Sequence, residues 1–300
     1  MTNELPQKQL VADSFGRAAA HYDDVAILQR QTGDELLDRL DLVKIQPQRI
    51  VDLGVGTGRN LSLLAQRYPN AQLIAVDIAT EMLQHARQAH RQQQGLKRWL
   101  PSTKKPLYLA GDAELLPLAD NSVDLIFANL ALQWCDPRIS FAEIQRVLTL
   151  DGLVMFTTLG PDTLHELRKS WAEVDDYPHV NMFYDMHDVG EAMTEASLTG
   201  MVLDTDRFIL TYNDAMSLMK DLKLLGAHNI NRDRRRGLTG KQTLAKVISA
   251  YEGFRQNDLL PATYEVVFGH AWGGIQAQHT SKDGSVHIPI SQIKRKVIQP

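Results

Sequence analysis

Two hydrophobic rhythms alternate along the first half of the chain. Nearly unbroken apolar runs occupy residues 50–53, 71–76, 106–110, 122–129 and 153–158. Between them, apolar residues return at three- and four-residue spacing over 60–67, 78–90 and 137–148. Short apolar runs predict strands buried on both faces, and the periodic stretches predict helices lying over them. Tyr68-Pro69-Asn70 and Asp151-Gly152 predict turns. Strand and helix thus alternate through five strands, the pattern of an α/β fold around a parallel sheet.

Ahead of the first strand, residues 11–31 predict one helix with Phe15, Ala18, Ala19, Tyr22, Ala26 and Ile27 on a broad face. An aromatic such as Tyr22 either folds over the turn that follows strand one or packs the helix onto the sheet edge. Helical spacing continues over 33–42 until Pro47 interrupts it. Beyond the fifth strand the pattern predicts helices over 163–174 and 186–196 and a long strand over 201–212. Helices over 214–225 and 240–256 follow, then a partly alternating strand over 264–272. This divides the chain into an N-terminal helical lid region (1–46), a core (47–213 and 260–273), a helical insertion (214–259) and a polar, mobile tail (274–300).

Gly54, Gly56 and Gly58 follow the first strand and open a helix. Such a turn lets the backbone approach a ligand closely. Its Gly-x-Gly-x-Gly spacing differs from the dinucleotide fingerprint, and no Lys follows to cradle phosphates. Asp77 ends the second strand, where a carboxylate accepts both hydroxyls of a ribose. Asp52 at the tip of strand one would repel a pyrophosphate but suits an amine or sulfonium cation. Asp112 sits at the end of strand three, placed to accept an adenine amine, with the Ala113 N–H as a donor to a ring nitrogen. Ile78 and Met82 either pack against an adenine face or fill the core. A nucleoside other than a dinucleotide is the expected ligand.

The 300 residues are 44% apolar, enough for a sizeable core, and carry 32 basic against 36 acidic side chains. That net charge of −4 gives no global bias toward nucleic acid. Charge is unevenly spread. Residues 214–259 hold nine Lys or Arg and five acids, with Arg232, Arg234, Arg235 and Arg236 clustered. Cys135 is the single cysteine, so no intrachain disulfide forms and a reducing compartment is expected. No signal peptide or membrane span is visible, which predicts a cytoplasmic protein.

The alternating sheet, Asp-Leu-Gly-Val-Gly-Thr-Gly at 52–58, Asp77, Gly-Asp-Ala at 111–113 and Asn129 resemble a class I S-adenosylmethionine-dependent methyltransferase. The resemblance implies a Rossmann-like sheet of seven strands. The last is antiparallel and slotted between strands five and six. It also implies roles: Gly54, Gly56 and Gly58 near the methionine part, Asp77 on the ribose, Asp112 at the adenine. Asn129 and Leu130 would line the methyl side, and Asp52 would organise the loop. Ser-Phe-Gly-Arg-Ala-Ala-Ala-His-Tyr (14–22), Asn-Leu-Ala-Leu-Gln-Trp (129–134), Asp-Met-His-Asp-Val-Gly (185–190), Leu-Leu-Gly-Ala-His-Asn (224–229) and Tyr-Glu-Val-Val-Phe-Gly-His-Ala-Trp-Gly (264–273) are more closely similar to the malonyl-acyl-carrier-protein O-methyltransferase family of biotin synthesis. The same scaffold resembles a mitochondrial assembly factor of respiratory complex I thought to modify an arginine. A different substrate, or a non-enzymatic cofactor-binding role, are the alternatives.

What the closer resemblance implies is methyl transfer from S-adenosylmethionine to the free carboxylate of malonyl-acyl carrier protein or malonyl-CoA, leaving S-adenosylhomocysteine. A carboxylate is ionised at pH 7, so no essential general base is expected. The protein must align the reactants and exclude water. A bidentate Arg suits the substrate's oxygens, with Arg17 the first candidate and Arg207 a weaker one. Tyr22, Gln133, Trp134, Tyr184 and Tyr212 would wall the pocket. His187 and His270 lack a partnered ligand set, so no metal is expected. The basic cluster at 232–236 would dock an acidic carrier by charge complementarity; RNA ranks lower because no RNA-binding module is recognisable.

Overall fold

The computed structural model describes residues 7–94, 104–227, 229 and 240–274. Five parallel strands are laid down in turn: β1 (Arg49–Leu53), β2 (Gln72–Asp77), β3 (Leu107–Ala110), β4 (Val123–Asn129) and β5 (Leu148–Leu159). β6 (Thr199–Tyr212) and β7 (Leu260–Trp272) complete a sheet of order β3-β2-β1-β4-β5-β7-β6. β7 runs antiparallel to both β5 and β6. The final strand therefore sits where the family resemblance implied, between β5 and β6.

Consecutive strand residues point to opposite faces, so each apolar run feeds two cores. Ile50, Leu73 and Leu125 belong to one cluster, while Val51, Ile74 and Ile126 belong to the other. The first is covered by α3 (Ile27–Arg39) and α4 (Arg59–Arg67), the second by α6 (Pro137–Val147) and α8 (Met186–Glu195), whose inward residues include Leu36, Leu64, Ile144 and Met193. α5 (Thr80–Gln94) follows β2, and α7 (His165–Ala172) lies between β5 and α8. α9 (Ala215–Leu224) and α10 (Lys241–Glu252) occupy the segment between β6 and β7.

Three local expectations are corrected. The helix expected over 11–31 is broken into α1 (Lys8–Ala18), α2 (Tyr22–Val25) and α3. His21 N–H closes a turn on Ala18 O at 2.9 Å, and the Thr57 hydroxyl donates to Asp23 Oδ1 at 2.6 Å. That tertiary bond draws α2 over the glycine turn, which outweighs a continuous helical period. Asp151-Gly152 is not a turn but lies inside β5, beside a register shift against Val123 and Leu125. A Cβ on Gly152 would stand 2.9 Å from Val123 O, so the irregularity needs glycine. β7 starts at Leu260, earlier than expected, and includes Pro261. Its pairing with β5 begins only at Val266, so the missing Pro261 N–H faces no β5 ladder.

Candidate active site

The chain leaving β1 turns beneath the ends of β1 and β2. Gly54 and Val55 N–H donate to Val76 O at 2.8 and 3.1 Å. Gly54 has φ +71°, and a Cβ there would lie 2.4 Å from Ala131 Cβ. Backbone handedness and space both exclude a side chain. Gly58 is different. It is not among the residues lining the cavity over this turn, and a Cβ on it would lie 2.8 Å from Ala86 Cβ, so glycine here lets α4 approach α5.

A solvent-open cavity with about 680 Å³ of empty space, counted out to its mouth, lies over the turn. Gly54, Gly56 and Leu53 form its floor, and Asp77, Ile78 and Met82 form one wall. Along the order β3-β2-β1-β4, Asp112 and Ala113 line it at the β3 end and Asn129 and Leu130 at the β4 end, and α1 borders it through Lys8, Val11 and Phe15. Asp77 accepts Gly56 N–H at 2.9 Å on Oδ2 and Ala79 N–H at 2.8 Å on Oδ1. Burial pushes its carboxyl up to about 6, against the opposing pull of those N–H groups. Each oxygen keeps a further lone pair for a hydroxyl.

Asp52 does not line the cavity but lies buried behind it, with Oδ2 lacking a protein partner. Burial and the nearby Asp77 charge push it up to about 8. Asp112 Oδ1 accepts from Glu114 N–H at 3.0 Å and from the Lys8 ammonium at 3.1 Å. Lys8 also meets Glu114 Oε1 at 2.8 Å. Burial alone would lower the Lys8 pKa, but Cys135, Glu114 and Asp112 together raise it. The Asn129 side chain ties α3 to the sheet. Its Oδ1 accepts from Thr32 and Thr157 hydroxyls at 2.9 and 2.8 Å, and its Nδ2 donates to Gln29 O at 2.8 Å.

A second cavity of about 930 Å³ adjoins the first, and Phe15, Tyr22, Leu130 and Trp134 line both. Phe15 and Trp134 meet edge to face at 5.4 Å. The Tyr22 phenol is held well above the usual tyrosine range by burial, then by Asp77 and Asp23. Leu130 and Leu164, both lining the larger cavity, hold left-handed backbones at φ +49° and +53°. Non-glycine residues in that region are strained and cluster at ligand sites.

The larger cavity is mostly apolar. Gln133 faces it, with Nε2 donating to Leu130 O at 2.7 Å and Oε1 buried without a partner. Tyr212 faces it too and hydrogen-bonds Asp221; burial, then Asp221, pushes the phenol up to about 12. The structure thus brings Tyr22, Gln133, Trp134 and Tyr212 together.

The remaining sequence candidates lie elsewhere. Arg17 is exposed, on a groove between α1 and the start of α5. Arg207 is exposed and pairs with Asp162 at 2.6 Å. Tyr184 packs on the α6 and α8 side of the sheet. None of these three lines either cavity among the described residues. Arg232, Arg234, Arg235 and Arg236 lie outside the described residues. His187 is exposed with Asp185 and Asp188 at the start of α8, and His270 lies near Arg39; neither faces the two cavities.

Sequence reasoning passed over the connection between α7 and α8. It supplies His179, Val180, Asn181 and Phe183 to the larger cavity. Tyr264 and Asp221 were also missed as lining residues. The one signal for the connection was its position just before the quoted Asp-Met-His-Asp-Val-Gly.

Comparison with known proteins decides the family. Residues 51–156 match the family model described as a methyltransferase domain. A malonyl-[acyl-carrier protein] O-methyltransferase of Laribacter hongkongensis is 47% identical over 88% of this chain and 89% of its own length. Its counterpart from Gallionella capsiferriformans is 44% identical over 97% and 99%. The chain belongs to the malonyl-acyl-carrier-protein O-methyltransferase family. Among solved structures, the YcgJ protein of Bacillus subtilis superposes with TM-score 0.54 at 17% identity, covering 80% of this chain and 98% of that one. That likeness shows the same fold; in this chain the two cavities open at the carboxyl ends of the parallel strands. No described helix is long and apolar enough to cross a membrane.

Proposed function

We propose that this chain transfers a methyl group from S-adenosylmethionine to the free carboxylate of a malonyl thioester, as the names of its relatives indicate for them. The observation that carries the reading is the pair of adjoining cavities with a shared rim of Phe15, Tyr22, Leu130 and Trp134. One suits an adenosyl ligand, and the other, mostly apolar, has room for a short malonyl group and the thioester arm behind it.

The residues of the smaller cavity fit the donor. Asp77 offers ribose acceptors, Asp112 and Ala113 border the adenine end, Ile78 and Met82 supply an apolar face, and Gly54 and Gly56 leave room over the turn. Asp52, with its orphaned oxygen behind the loop and its carboxyl held up at about 8, is mostly neutral in the ligand-free chain at pH 7, and a bound cation nearby would favour its ionised form. When bound, S-adenosylmethionine supplies a methyl group already activated on a sulfonium. The protein's work is therefore alignment and exclusion of water. Tyr22, Leu130 and Trp134 confine the acyl carboxylate at the rim, and α1 with α2 forms the lid. No residue is required as general base, because the nucleophile is ionised.

The product methyl ester would prime pimeloyl synthesis for biotin, in the cytoplasm. Carrier protein and coenzyme A present the same thioester; the basic 232–236 cluster favours docking of an acidic carrier. Incubating the protein with S-adenosylmethionine and malonyl- or acetyl-acyl carrier protein, then reading methyl incorporation by mass spectrometry, tests the proposal. Product is expected from malonyl and none from acetyl. Donor binding with no product from malonyl would overturn it.

A further inference from the structure

The acyl group of the proposed reaction carries a negative charge, and an anion entering an apolar cavity needs a cation or several aimed donors. Among the described residues lining the larger cavity, His179 alone can carry positive charge. Arg17 and Arg207 are exposed elsewhere. Lys8, the basic residue of the smaller cavity, is engaged by Asp112 and Glu114. Asp221, the carboxylate facing the larger cavity, is engaged by Tyr212.

His179 is held from two sides. Its Nε2 lies 2.7 Å from Asp175 Oδ1, which also accepts Tyr177 N–H at 3.1 Å. Its ring stacks on Trp171 at 3.5 Å with 7° between planes. His179 lines the cavity and its hydrogen-bond partner Asp175 does not. A carboxylate bonded to one ring nitrogen and an indole over the ring face both accommodate a positive imidazole. Asn181, two residues on, lines the same cavity with Oδ1 buried and unpartnered, so this segment brings two polar side chains to an otherwise apolar wall.

We infer that His179 is the residue that pairs with the acyl carboxylate, with Asp175 and Trp171 as its positioning residues, so that the site selects acyl chains ending in a carboxylate. This rests on the function proposed above and names the group that reads its substrate. It replaces the arginine clamp expected from sequence.

The test measures binding of malonyl-pantetheine and acetyl-pantetheine to the full chain loaded with S-adenosylhomocysteine. His179→Gln keeps a hydrogen-bonding side chain but no charge. It is expected to weaken malonyl-pantetheine binding roughly 10- to 100-fold, the range of a lost charge-assisted bond. Acetyl-pantetheine and S-adenosylhomocysteine should stay within about two-fold, since neither meets the imidazole charge. Asp175→Asn should give a smaller loss with the same selectivity, which a merely structural role would not. Equal loss for both thioesters, or loss for neither, overturns the inference. Wild-type protein that binds the two thioesters equally and methylates neither overturns the proposed function itself.

Discussion

The two cavities are built by opposite means. The smaller one is assembled from the ends of neighbouring strands and the turns that leave them: Gly54 and Gly56 after β1, Asp77 at the end of β2, Asp112 after β3, Asn129 at the end of β4. Its polar groups are fixed by backbone hydrogen bonds, as Asp77 is by Gly56 and Ala79. The larger one is assembled from side chains of α3, α7, α9, β6 and β7 and the irregular 173–185 connection. Its polar groups hold one another, as Tyr212 holds Asp221 and Asp175 holds His179. A donor common to many enzymes is thus met by topology, while the acceptor is met by the parts that surround the sheet. Substitutions at the turn should therefore separate donor binding from acyl binding.

The largest effect is expected from Gly54→Val. Its Cβ would overlap Ala131 at 2.4 Å with φ at +71°. Loss of S-adenosylhomocysteine binding by more than ~100-fold is expected by calorimetry, since a collision with a buried neighbour and a left-handed β-branched residue are both costly. Near-normal binding would show that the turn tolerates bulk and that the topological account is wrong. Asp77→Asn comes next. It weakens two charge-assisted bonds and the ribose acceptor, so donor affinity should fall roughly 10- to 100-fold while thioester binding holds. A parallel fall in thioester binding would mean the two cavities are one energetic unit.

A smaller effect concerns pH. Burial, with Asp77 nearby, holds the Asp52 carboxyl up at about 8, and burial holds Asp77 at about 6. Both lie above the ordinary carboxylate value of the unfolded chain, so the folded protein binds these protons more tightly. Their contribution to stability is complete below about pH 4 and is lost as pH rises through the folded values. The melting temperature of the ligand-free protein should fall from about pH 5 to about pH 8, and Asp52→Asn should flatten the upper part of that fall. An unchanged slope in the variant would deny Asp52 this role. The smallest effect is expected from the basic cluster. Reversing charge at Arg234, Arg235 and Arg236 should reduce use of malonyl-acyl carrier protein several-fold, and use of malonyl-CoA less, because rim charges act mainly on encounter. Equal loss for both would remove the docking role.

What the sequence made legible follows the same division. The glycine turn, Asp77 and Asp112 were readable because each is tied to a strand end, and strand ends are announced by apolar runs a few residues long. The seven-strand order came from the family resemblance rather than from periodicity. Arg17 and Arg207 were attractive as charges, but charge does not reveal direction: one faces an outer groove and the other pairs with Asp162. His179 and Asn181 lie in a connection without helical or strand period, so nothing local marked them as inward. Tyr22 was read with two outcomes. The break between α1 and α2, set by the distant Thr57–Asp23 bond, placed it over the turn.

The most direct test of two cavities meeting at one rim is a crystal structure of the full chain with S-adenosylhomocysteine and an unreactive malonyl thioester analogue. The account predicts adenosine between Asp77 and Asp112, the acyl chain in the larger cavity, and sulfur and carboxylate facing each other across Tyr22, Leu130 and Trp134. An acyl chain lodged outside that larger cavity, or adenosine bound away from Asp77, would contradict it.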